Sequence, residues 1–105
     1  LMALRRLRIR LAIEVRSTRP GGPSPLWKAR RSGTKMSVNP RNPDYPALLA
    51  EGLDAIDDAG YDVASAAGIL GITMSQLTRL VRHEKAAFTL VNRGREEHGF
   101  PPLRQ

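Results

Sequence analysis

The sequence predicts an all-α protein: a small helix-turn-helix bundle of about four helices, behind a basic N-terminal arm that is disordered or weakly structured. Three observations lead there. From residue 44 onward apolar residues recur at helical spacing, and each run is bounded by residues that start or stop helices. The Pro, Gly and Ser residues that disfavour packing crowd instead into the stretch before it. The basic excess is also confined to the front: residues 1–35 hold ten Lys and Arg against Glu14 alone, a net of +9, whereas residues 36–105 hold seven against nine acids, a net of −2.

The helices follow in order. Asp44 is an expected N-cap and Pro46 suits a first turn, with Leu48, Leu49, Leu53 and Ile56 on one face until Gly60. Asp62 is the next N-cap, opening a short helix through Ala66, Ala67 and Leu70 that stops at Gly71. The "TMSQ" of residues 73–76 has the capping-box arrangement, in which Thr73 and Gln76 would each satisfy the other's backbone N–H. It predicts a helix from Met74 to about Glu84. A last helix, roughly 85–98, carries Ala87, Leu90 and Val91 on one face and ends at Gly99, after which "FPPLR" forbids continuation. No strand is expected within 44–105.

The front of the chain reads differently. Residues 1–16 alternate strictly over Leu7, Ile9, Leu11, Ile13 and Val15, a strand-like period with no second strand to pair with. A basic arm on DNA, an Arg-rich targeting segment and an unstructured leader all fit. Met36, just before the composition shift, favours the unstructured leader, or sequence upstream of the real start that is translated by mistake. Residues 17–43 are expected to be linker, with Trp27 as their only large apolar group. The expected domains are therefore a basic Pro/Gly-rich arm and linker over 1–43, and a helix-turn-helix domain over 44–105.

Composition narrows the chemistry. With no cysteine there is neither disulfide nor thiolate metal site, and a reducing, cytoplasmic setting is the natural expectation. The apolar runs are too short to cross a bilayer, and arginines interrupt any secretory pattern. His83-Glu84 and Glu97-His98 are sequence-adjacent pairs that splay around a helix, so they are expected on the surface rather than at an acid–base or metal site. Ser65 and Ser75 have no histidine at a spacing that suggests a base, and there is no Gly-rich phosphate loop. Phe88 and Phe100 are expected in the core or docking the tail. No enzyme, cofactor, metal or small-molecule substrate is expected.

A helix-turn-helix needs a small residue where its helices meet, a residue that accepts positive φ to leave the first, and an apolar plug after the turn. Ala67, Gly71 and Ile72 meet these demands in one register, with Leu77 and Leu80 packing back on Leu70. On these residues "SAAGILGITMSQLTRLVR", residues 65–82, resembles the C-terminal DNA-binding domain of the Fis family and the related helix-turn-helix of bacterial enhancer-binding activators. The resemblance implies a bacterial, nucleoid-associated or transcription-regulating protein whose second helix enters the major groove of double-stranded DNA, as a homodimer that bends it. The candidate DNA-binding residues are Thr73, Ser75, Gln76, Thr78, Arg79, Arg82 and Lys85. Gln76 suits adenine and Arg79 guanine, while Arg82 and Lys85 suit phosphate. The sequence departs from the family at Met74 and Thr78, where a basic residue is usual, in the apolar Leu80-Val81, and in the helix and tail beyond residue 84. The family's dimerisation region is not recognisable. These departures, with the net −2 of residues 36–105, keep an alternative open: a helical protein–protein adaptor of antitoxin or phage-packaging type built on the same trihelical unit.

Overall fold

The computed structural model describes residues 22–36 and 38–104, which form five helices and one short hairpin. Ser24 starts α1 (Pro25–Arg30), its hydroxyl accepting the Trp27 amide at 3.1 Å, with Pro25 in the first turn where no amide is needed. The chain then makes an antiparallel hairpin of β1 (Arg31–Ser32) and β2 (Lys35–Met36), pairing Arg31 with Met36.

Helix α2 (Tyr45–Asp58) buries Leu48, Leu49, Leu53 and Ile56 on the face the sequence predicts. Asp44 precedes it but does not cap it. Its backbone is already helical, at φ −80° and ψ −13°, and its carboxylate instead accepts from the Arg30 guanidinium at 2.6 Å. Gly60 and Tyr61 turn the chain at φ 64° and 67°, and Asp62 then caps α3 (Val63–Leu70) by accepting the Ser65 amide at 3.1 Å.

Helix α3 ends where Gly71 adopts φ 75° and ψ 27°. The Ile72 amide bonds back to Ala67 O and the Gly71 amide to Gly68 O, the paired closure of a left-handed helix terminus. Three residues separate α3 from α4 (Met74–Arg82), and α5 (Lys85–Glu97) follows almost at once. Helix α5 closes in the same way as α3: Gly99 sits at φ 82°, and the Phe100 amide reaches Arg95 O at 2.8 Å. The tail from Phe100 then folds back along α5, burying Leu103.

Within the described part of the expected linker the structure differs from the sequence reading. Trp27 is fully buried, and Met36 and Val38 join the same core as Tyr45, Leu49, Leu77 and Val91. The folded unit therefore begins well before residue 44. A short apolar segment need not form its own core to be ordered; here it closes one that α2, α3 and α4 leave open. Residues 1–21, which hold the strand-like segment of residues 1–16 and the start of the expected linker, lie outside the described residues.

Candidate functional site

The α3–turn–α4 unit is held from outside by the segment before it. Trp27 Nε1 donates to Leu70 O at 3.0 Å, satisfying one of the carbonyls that a helix end leaves without a partner. Arg31 donates to Gly71 O at 3.4 Å. The Thr73 amide donates to Thr34 O at 3.1 Å, and the Met36 amide donates to the Gln76 side-chain oxygen at 3.2 Å. Four consecutive features of the turn — helix end, glycine, N-cap and first helical turn — are thus tied to α1 and the hairpin. Ser24 fixes that clasp to α2: its amide donates to the Glu51 carboxylate at 2.7 Å, and its hydroxyl donates to the same group. This explains a glutamate buried to 8 % exposure.

Helix α4 has two sharply different faces. Leu77, Leu80 and Val81 are buried against α2, α3 and α5, and Tyr45 Oη donates to Leu80 O at 2.7 Å. Met74, Ser75, Arg79 and Arg82 face solvent. No acidic residue lies on α4, and no ion pair engages Arg79, Arg82 or Lys85 among the described residues.

The seven sequence-predicted residues divide by environment. Ser75, Arg79 and Arg82 share the open face of α4. Thr73 is exposed at the N-cap and accepts the Gln76 amide at 3.1 Å, half of the expected capping box. The reciprocal half is missing, because the Gln76 carbonyl oxygen holds Met36 instead. That bond also sets Gln76 against its expected role, since bidentate pairing with adenine requires the same oxygen. Thr78 is buried to 9 % exposure, so it contributes packing more than contact. Lys85 is exposed but belongs to α5, beyond the break at His83-Glu84.

Sequence reasoning missed the tail. Residues 101–104 run beside α4, leaving a groove of about 500 Å³ lined by Ser75, Arg79, Arg82, Arg95, Pro102 and Arg104 among others, none of them acidic. Arg95 builds the far wall: it is 5 % exposed, donates from Nε to Pro101 O at 2.9 Å and from a terminal nitrogen to Tyr61 O at 3.0 Å, and lies 4.9 Å from the Phe100 ring centroid. Asn92 adds a reciprocal pair with the Leu103 backbone, accepting its amide at 2.7 Å. Arg82 crosses to Arg104 O at 3.4 Å. The only sequence signal was the sum of Asn92, Arg95 and a tail that cannot be helical.

On the other side of α4, Arg79, Leu80 and His83 line a second groove with Val38 and Pro40. Partial desolvation of its ring holds the pKa of the otherwise exposed His83 below its usual 6.5, and the Arg79 and Arg82 charges add to the effect. Among the described residues no helix is long and apolar enough to cross a membrane.

In comparisons with known proteins, the chain matches no family model, no curated protein and no solved structure.

Proposed function

We propose that this protein binds double-stranded DNA, using α3, the Gly71 turn and α4 as a helix-turn-helix that lays the open face of α4 in the major groove. The observation that carries the reading is the pairing of Arg79 and Arg82, three residues apart on a solvent-facing surface without acidic neighbours on the helix, next to a tightly closed turn. Arg79 is the base-reading residue, matched to the O6 and N7 acceptors of guanine, and Ser75 and Arg82 contact phosphate. Gln76 serves the fold first. One such module makes few phosphate contacts, so two copies on neighbouring half-sites, a homodimer on DNA, supply useful affinity. No catalysis is part of this reading.

The test is duplex binding by the full chain and by Arg79→Ala across a panel of sequences. Loss of about 1–3 kcal/mol of discrimination at one base position is expected. Unchanged affinity and preference in Arg79→Ala would remove α4 from the groove.

A protein–protein adaptor is the second reading. It is favoured by Ile69 and Met74, which flank the turn at 57 % and 38 % exposure and leave apolar surface where a partner could sit. Salt separates the two: DNA affinity falls steeply as salt rises, through counterion release, whereas apolar docking does not.

A further inference from the structure

We infer that the groove between α4 and the C-terminal tail is a second contact site for the nucleic-acid backbone, with Arg104 and Arg82 gripping one phosphate from opposite walls. The inference rests on the DNA-binding reading above and extends it to a segment outside the helix-turn-helix. Three observations carry it. Among the described residues the groove is lined by four arginines, Arg79, Arg82, Arg95 and Arg104, and by no carboxylate, so a ligand entering it meets positive charge and neutral dipoles from them. Its volume of about 500 Å³ leaves ample room for a phosphate and the sugar atoms next to it. The tail wall is fixed: Leu103 is 8 % exposed, and Asn92 and Arg95 hold the backbone of Leu103 and Pro101.

The two outer arginines have different freedom. Arg82 donates to Arg104 O at 3.4 Å, a single long bond from a group with five donors. The Arg104 side chain is exposed at the groove edge. Arg79, Arg82 and Arg104 are exposed at the groove, and a phosphodiester accepts from two guanidinium forks at once. The sequence order matters too. A phosphate held here lies beside Ser75 and Arg79, so the tail extends the α4 footprint along the backbone and adds affinity without sequence preference.

The experiment measures duplex affinity against salt for the full chain, Arg104→Ala, Arg104→Lys and Arg79→Ala. Arg104→Ala removes an exposed side chain and leaves its carbonyl bond to Arg82 intact, so folding is unaffected. It is expected to weaken binding about three- to tenfold at low salt, equally for all sequences, and to lower the salt slope by about 0.9, the value of one phosphate contact. Arg104→Lys keeps the charge and restores the slope. If Arg104→Ala matches the wild type in affinity and slope while Arg79→Ala loses sequence preference, the tail site is refuted and the DNA reading stands. If the wild-type chain binds no duplex at any salt, both fall.

Discussion

The α3–α4 unit is flanked by two segments that a sequence reader would both discard as irregular, and they hold it by different means. The N-terminal clasp, residues 24–36 with Val38, inserts a fully buried tryptophan and ties Leu70, Gly71, Thr73 and Gln76 with hydrogen bonds. The C-terminal tail buries a single leucine and is held mainly by two polar side chains of α5, Asn92 and Arg95. A tryptophan in a core excludes water over a large apolar area, so its segment melts only when the domain does. A tail that buries one leucine and is otherwise held by a few part-buried hydrogen bonds opens locally at smaller cost. The clasp braces the turn, and the tail lines the groove beside α4.

The largest effect is expected at Trp27. Trp27→Ala empties a core site and orphans Leu70 O, costing about 3–5 kcal/mol in urea or thermal melts. A loss below about 1 kcal/mol would show that the clasp is peripheral and would collapse the contrast. At the tail, Arg95→Ala removes two charge-assisted bonds and is expected to cost about 2–3 kcal/mol, while amide exchange quickens over residues 100–104 before it does at the turn. Gln76→Ala separates clasp from site. It releases the Met36 amide for about 1 kcal/mol of stability yet, under the proposed DNA reading, leaves base preference to Arg79 and so unchanged.

The smallest effect is electrostatic. The lowered pKa of His83 means that the unfolded chain takes up this proton first as pH falls. Its contribution to stability is therefore complete above 6.5 and declines as pH drops from there through the lower folded value. Duplex phosphate beside Arg79 and Arg82 would relieve the repulsion that helps depress it, so affinity should rise over the same interval. His83→Gln abolishes both trends, as fluorescence melts and binding isotherms across that pH range would show.

Most of the helical frame was legible because its signals are local. Asp62 caps α3, Gly71 and Gly99 take left-handed conformations, and Ile72 plugs the turn, each as spacing and residue type require. The clasp was illegible for the opposite reason. Trp27 bonds a carbonyl 43 residues away, and nothing in Pro- and Gly-rich local sequence announces so distant a partner. Gln76 shows how a local rule can be half right. Thr73 does cap α4, but the other half of the box lost to a backbone amide 40 residues earlier in the chain. Asp44 fails as a cap in the same way, drawn off by Arg30. The tail was read as a stop signal with Phe100 as a docking candidate, but its backbone partners were not foreseen: Pro101 O and Leu103 are what give Arg95 and Asn92 their partners.

The central claim is that α4 presents Arg79 and Arg82 to a duplex. Titrating the full chain with a short duplex at moderate salt, and following backbone amides by NMR, tests it most directly. The account predicts the largest shifts at Ser75, Arg79 and Arg82, with smaller ones at Arg104 and none on the acidic face of α2 around Asp57 and Asp58. Shifts confined to residues 1–21, or clustered at Ile69 with α4 silent, would contradict it.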